Sequence, residues 1–314
     1  MTLTQLRIFR ELARQSLSIS ATAAALGAAQ PGVSRQLQQL EQDLGAALLI
    51  RRRNRIVALT EAGRAILETA ERALAMVENI RAIAVDASGG PAQFTVATSH
   101  LHARYSLLSP IGAFVRGHPQ VRLHLMQAAP DAILDMVEAG EAEIGVSTET
   151  ERAHRDLVFL TGNTVRRSLV VPNRHPLTRL RRLTLGAIAR YPLVAYSFRA
   201  RGGQIMEDAL RAQSLAANAV VSAMDADVVL AYIAEGLGIG IVPSMAVAAG
   251  LPAGLTTIDV TRLFPDSRLT LSLRRDIYLS AHMADFIRTV APAWTRGAIQ
   301  RALERRDRAD EVLS

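Results

Sequence analysis

The chain contains no cysteine, which excludes disulfides and thiolate metal sites. Lysine is absent as well. All 36 basic residues are arginine, set against 29 acidic ones, for a formal net charge of +7. No apolar run approaches the roughly 18 residues that a membrane span requires. Met1 is followed by neither a charged n-region nor a hydrophobic h-region. The expectation is a soluble, cytoplasmic protein with no membrane partner. What is present is a length of 314 residues, enough for two or three domains that each bury a core. The positive charge is uneven. Residues 1–60 carry eight arginines against three acidic residues, whereas residues 61–90 carry three against five. A polyanionic partner calls for such a concentration of charge at one end.

The stretch from Ser18 to Thr60 reads as helix, turn, helix and basic hairpin. Thr2 caps a bracing helix before it, with Leu3, Leu6, Phe9 and Leu12 inward. Ser18 and Ser20 offer hydroxyls to the free N–H groups of a short helix through Leu26, and Gly27 is its natural stop. Pro31 stands where a second helix begins, at a position whose N–H needs no partner. Val33, Leu37, Leu40 and Leu44 recur at 4, 3, 4 spacing and make one apolar face. The other side carries Gln30, Ser34, Arg35 and Gln38, side chains suited to base edges in a major groove. Arg51, Arg52, Arg53 and Arg55 follow, with a β-rich segment after them, as in a wing that clamps phosphates. A three-helix bundle with a solvated basic loop has the same spacing, so spacing alone leaves both readings standing.

The order of residues goes further. Ala23, Ala24, Leu26, Gln30, Pro31, Val33, Ser34, Gln36, Leu40, Glu41, Leu44, Gly45 and Arg51 match the N-terminal winged helix-turn-helix pattern of the LysR-type transcriptional regulators. The segment resembles that family. Ala29 departs from it: the family has Ser before the Gln-Pro pair, so a cap or phosphate contact from that hydroxyl is missing.

After the wing, Glu61 suits the positive end of a long helix. Leu59, Gly63, Ile66, Ala70, Ala73, Val77, Ile80 and Ala84 follow a heptad step. A narrow apolar seam on a helix of roughly 40 Å predicts a dimerising linker over 61–86; packing on its own domain is the other reading. The LysR resemblance implies that this helix pairs two chains over two-fold related half-sites of double-stranded DNA, and implies a homotetramer. Residues 86–91 then break the helix. Beyond them strands alternate with helices, which predicts mostly parallel sheet covered by helices. The fold class is therefore α/β, with a winged helix-turn-helix over 1–60, a linker helix and hinge over 61–90, and an effector-binding domain over 91–314. The resemblance implies two lobes like those of periplasmic binding proteins. One covers about 92–162 and 268–300 and the other about 163–267. The tail from Arg296 is helical in pattern.

Thr98, Ser99, His100, Leu101 and His102 lie at a strand end before a predicted helix over 104–116. Hydroxyls, backbone N–H groups and a helix dipole outline an anion site there, to which either histidine adds charge or a donor. Capping by Thr98 or Ser99, with solvated histidines, explains the same residues. Asp225 is read as an N-cap. Gly236, Gly238 and Gly240 make no dinucleotide motif, because a helix precedes them and a strand follows. No metal-ligand cluster, phosphate loop or Ser/His/Asp spacing is present, so neither an enzyme nor a cofactor is expected.

The string 98–107, with Thr148 and Asp225–Val247, also resembles the CysB/Cbl branch of the family. That resemblance implies activation of genes for sulfur assimilation, cysteine biosynthesis or sulfonate use. The implied effector is a small molecule: a sulfur oxyanion, adenylyl sulfate or an acetylserine. It implies effector-binding positions at Ser99, Leu101, His102, Thr148 and Arg201. Leu101, His102 and Arg201 differ from the branch, where Thr, Gln and Thr stand. Arg201 either clamps an oxyanion bidentately or points to solvent. RNA polymerase is a further implied partner. A solute-binding protein without regulation leaves the winged segment unexplained.

Overall fold

A computed structural model of the chain describes residues 1–53, 55–148, 154, 156–196 and 205–305. The chain divides into two compact units, Met1–Ser88 and Gly89–Ser314.

The first unit runs α1 (Leu3–Arg14), α2 (Ile19–Ala25), α3 (Gln30–Leu44), β1 (Leu49–Arg52), β2 (Arg55–Leu59) and α4 (Glu61–Ser88). Thr2 caps α1 in a reciprocal box with Gln5: each side chain meets the other residue's backbone N–H. Leu6, Phe9 and Leu12 enter the core, but Leu3 is exposed, and Gln5 and Ile8 are buried in its place. Ser18 caps α2 by accepting from the Ala21 amide. Ser20 caps nothing; it is exposed within the helix. Gly27 and Gly45 both adopt positive φ and end their helices. Ala29, at the N-cap of α3, makes no side-chain cap bond, as the missing hydroxyl dictates. Val33, Leu37 and Leu40 are buried against Leu6, Phe9, Leu12 and Ala23, with Leu44 packed partly against them. Full burial of each such side chain is worth about 1.5–3 kcal/mol.

The seam of α4 is divided. Ile66, Leu67, Ala70, Ala73 and Leu74 pack into the core of their own unit. Further along, Met76, Ile80 and Ile83 are exposed. Gly63 is glycine for local reasons: a Cβ there would collide with the Leu48 carbonyl.

The second unit is two-lobed. It begins with β3 (Ala92–Thr98), a π-helical turn (His102–Ser106), α5 (Leu108–Gly117), β4 (Val121–Gln127), α6 (Pro130–Glu138), β5 (Ile144–Thr148) and β6 (Leu157–Val165). Next come β7 (Arg167–Pro172), a 3₁₀ turn (Pro176–Arg179), α7 (Leu185–Ile188), β8 (Leu193–Tyr196), α8 (Ile205–Ala212), β9 (Ala219–Ala223) and α9 (Ala226–Ala234). The unit finishes with β10 (Gly240–Pro243), α10 (Ser244–Ala248), β11 (Leu255–Asp259), β12 (Ser267–Arg274), α11 (Ala281–Val290) and α12 (Arg296–Glu304).

The first lobe is built on a sheet of order β4-β3-β5-β12-β6. The second is built on β10-β7-β11 and β8-β9, linked by a bridge between Leu193 and Ile239. The expectation of mostly parallel sheet is corrected. β3 pairs parallel with β4 and β5, but β12 runs antiparallel to β5 and β6, and β7 antiparallel to β10 and β11. The return strand β12 inserts between neighbours from early in the unit, so it closes the first lobe after the chain has built the second. Both crossings are tied together: the Arg167 guanidinium donates to the Pro265 carbonyl and to Ser267 Oγ. Phe94, Phe114 and Phe286 meet edge to face under the first sheet, with centroids 5.4–5.8 Å apart. Among the described residues no helix is long and apolar enough to cross a membrane.

Candidate DNA-reading head and effector cleft

In the first unit, α3 presents Gln30, Pro31, Arg35 and Gln38 to solvent, with Ser34 half-buried at the edge of the same face. The wing is held by one carboxylate. Glu41 accepts the amides of Leu48 at 2.8 Å and Leu49 at 3.1 Å, and pairs with Arg51 at 2.8 Å. Burial alone would raise the Glu41 carboxyl; Arg51 and the two amides outweigh it and hold it below its usual range. Arg51 is therefore a strut between α3 and the hairpin before it is a phosphate contact. Arg52, Arg53 and Arg55 are exposed. Arg52 and Arg55 face each other across the hairpin. Like charges in that position repel, and a polyanion relieves the repulsion.

In the second unit the expected site residues separate by role. Thr98 is fully buried and its hydroxyl donates to the Val146 carbonyl at 2.8 Å, so it ties β3 to β5. Ser99 Oγ accepts the His102 amide at 3.4 Å, a local turn contact. The helix expected over 104–116 is also corrected. A π turn comes first, and α5 starts only at Leu108, so no long helix points its N-terminus at Ser99. Leu101 is buried in an apolar cluster with Val170, Val194, Val229 and Leu230 of the second lobe. Thus the turn that follows β3 is wedged into the opposite lobe. Arg201 lies outside the described residues.

His102 is the buried centre of that turn. Nδ1 lies 2.9 Å from Ser106 Oγ, and Nε2 lies 3.2 Å from Thr148 Oγ1 at the end of β5. The π turn makes the first contact by stacking His102 and Ser106 on one face. Burial pushes the imidazole down to about 4, so it is neutral near pH 7 and adds no charge. Of the two roles expected of a histidine here, charge or a donor, a neutral His102 keeps only the second. The Ser106 hydroxyl also reaches Met245 Sδ at 3.2 Å. With its hydrogen on Met245, Nδ1 carries the imidazole proton, Nε2 accepts from Thr148 and the Thr148 oxygen is left as an acceptor; with it on Nδ1, every role along the chain reverses.

His100 lies beside this centre, and its Nε2 is 3.2 Å from Asp227 Oδ2. Asp227, in the first turn of α9, also accepts from the Tyr105 hydroxyl and pairs with Arg104 at 3.2 Å. Burial would raise its carboxyl; Tyr105, His100 and Arg104 hold it low. Tyr105 is pushed up, first by burial and then by its bond to Asp227. Asp225 occupies the N-cap of α9, as expected, but makes no side-chain cap bond; the aspartate that joins the lobes is Asp227, two residues on. The paired aspartates were visible; their division of labour was not. Among the described residues no histidine–carboxylate group could hold a metal ion.

Two family matches cover most of the chain. Residues 3–64 match "Bacterial regulatory helix-turn-helix protein, lysR family", and residues 87–295 match "LysR substrate binding domain". The chain is 39% identical over 279 residues to the HTH-type transcriptional regulator cbl of Escherichia coli (strain K12), covering 88% of this chain and 87% of that protein. It is 34% identical over 308 residues to the HTH-type transcriptional regulator CysB of Haemophilus influenzae, covering 98% and 95%. The crystal structure of the cofactor-binding domain of the Cbl transcriptional regulator superposes with a TM-score of 0.64 at 34% identity, covering 68% of this chain and 93% of that one.

Proposed function

Because the chain belongs to the LysR family of transcriptional regulators, we propose that it activates genes of sulfur assimilation, cysteine biosynthesis or sulfonate use when a small effector occupies the cleft between its lobes. It is a DNA-binding regulator and not an enzyme. Similarity to Cbl and CysB supports the sulfur assignment. The observation that carries the effector reading is the Ser106–His102–Thr148 chain, with His102 buried at its centre, set where the first-lobe turn enters the second lobe. An effector that fills the cleft changes how firmly that turn is seated, and with it the angle between lobes.

In the arrangement that leaves Thr148 as an acceptor, the polarity of the chain favours one class of effector. A neutral imidazole and an accepting hydroxyl match a ligand that brings its own N–H or O–H, as an acetylserine does. They match a fully deprotonated sulfate less well. The test is a thermal-shift screen of the full chain against O-acetylserine, N-acetylserine, sulfate, thiosulfate and adenylyl sulfate. A ligand at about 100 times its dissociation constant adds about 2.7 kcal/mol. An acetylserine is expected to raise the midpoint, and Thr148→Val to abolish the rise. A rise given by sulfate alone and kept in Thr148→Val would sink the reading.

For DNA, Gln30, Ser34, Arg35 and Gln38 face bases, and Arg52, Arg53 and Arg55 hold phosphates around the strut of Arg51. Arg35→Ala is expected to lower specific binding by about 1–3 kcal/mol and to relax preference at one base position. If binding to all sequences weakens equally and only the salt slope falls, Arg35 is a phosphate contact instead.

Oligomerisation draws support from exposed apolar side chains. Met76, Ile80 and Ile83 form one stripe on α4; Leu108 and Val115 lie on α5; Val228 and Tyr232 lie on α9. The first stripe serves a dimer, and the other two faces serve a tetramer. RNA polymerase is the second macromolecular partner that activation requires.

A further inference from the structure

Between Asp156 and Glu207 the sequence holds nine arginines and no acidic residue. Arg174, Arg179, Arg181, Arg182 and Arg190 are exposed on the second lobe. Neither DNA reading nor the cleft at His102 uses them. Arg182 and Arg190 line a cavity of about 750 Å³ and form no ion pair with a described residue. Asp208 of α8 is held by Arg211 at 2.9 Å.

The rest of the cavity is mostly apolar, with Leu177, Ala187 and Leu215 on its floor and Tyr191 on a wall. Leu177 is buried in the core of the lobe and Ala187, Tyr191 and Leu215 pack against that core, so the floor is firm. The wall is braced too. The His175 ring meets the Tyr191 ring edge to face at 4.4 Å, and its Nδ1 accepts the Leu177 amide at 3.3 Å. A ring nitrogen that accepts carries no proton, and burial lowers the His175 pKa. The cationic character of the cavity therefore comes from the two guanidiniums. The recess is open to solvent on one side, and its lining combines apolar walls with a few placed polar groups, as small-molecule sites do. A bare inorganic anion would leave the floor against water. An apolar body with one anionic head satisfies floor and guanidiniums together.

The geometry points to a second ligand site in this cavity, separate from the cleft at His102, for an organic anion with a short apolar body and a carboxylate or sulfonate head. The test is calorimetry on the full chain with hexanoate, hexanesulfonate, hexanol and inorganic sulfate. One or both of the six-carbon anions are expected to bind at least about tenfold more tightly than hexanol or sulfate, which is about 1.4 kcal/mol. The comparison of the two anions identifies the preferred head. Arg182→Ala with Arg190→Ala is expected to weaken that binding by at least about tenfold, and Thr148→Val to leave it unchanged. Loss in Thr148→Val but not in the arginine variant would move the ligand to the cleft and overturn the proposal. So would equal binding of hexanol, or an arginine variant that keeps anion binding and lowers only the salt dependence of DNA binding, which would make the basic face a polyanion contact.

Discussion

A chain carrying Ile80→Asp and Ile83→Asp is expected to run as a monomer and to bind a two-half-site operator at least about a hundredfold more weakly than the parent, while a single half-site is bound within about twofold. The loss comes from avidity. Two heads on one dimer make the second binding event intramolecular, and that gain disappears when the heads part. The exposures select the positions: Ile80 is 65% exposed, Ile83 47% and Met76 40%. Each such side chain buried in a partner contributes about 1.5–3 kcal/mol, and a carboxylate in its place reverses the sign. Ile66→Asp is the control. Ile66 packs into its own unit, so that substitution is expected to destabilise the winged head itself. Sedimentation and operator titration check both variants. A double variant that still dimerises and keeps operator affinity would remove the α4 stripe from the interface.

The same helix shows how far sequence reaches. The heptad run from Leu59 to Ala84 was legible because spacing alone defines it. What spacing does not carry is the identity of the partner, and the seam divides: it packs on its own core up to Ala73, whereas Ile80 and Ala84 are exposed to solvent. The head was legible for a similar reason. Its helices are short, local and punctuated by Thr2, Ser18, Gly27, Pro31 and Gly45, so each boundary has a residue that causes it. The second unit was legible as alternating strands and helices, but not in its pairings. β6 alternates poorly, with Gly162 and Asn163 inside it, and β11 has an apolar pattern weak enough to pass as loop. β12 reaches its neighbours across more than a hundred residues, and no local pattern encodes that closure.

The candidate cleft divides in the same way. Residues 98–102 could be singled out from the string they form, and Thr148 only from the resemblance to the CysB/Cbl branch. Their roles depended on contacts from far along the chain: Val146 for Thr98, Val170 and Val194 for Leu101, Met245 for Ser106, Asp227 for His100. Histidine near an anion site suggests charge when burial is unknown. Full burial between two hydroxyls reverses that, because a charged imidazole loses its hydration there and, among the described residues, meets no carboxylate in exchange.

The reversal has a measurable consequence. The His102 imidazole has an ordinary value of 6.5 and is pushed down to about 4 in the folded chain. The unfolded chain therefore takes up a proton at a higher pH than the folded chain does. Stability from this residue is fully present above about pH 6.5 and falls with pH until the folded form also protonates near 4. Across that window one proton separates the two states, so the slope approaches about 1.4 kcal/mol per pH unit. Against His102→Gln, which has no titrating group there, the parent is expected to lose about 2–3 kcal/mol between pH 7.5 and 4.5. Denaturant titrations of both chains at several pH values isolate the difference, since every other histidine and carboxylate is shared. A flat difference would mean that the imidazole stays hydrated or finds a counter-charge in solution. The arrangement that leaves the Thr148 oxygen as an acceptor would then lose its support, and the preference for an N–H or O–H effector its physical basis.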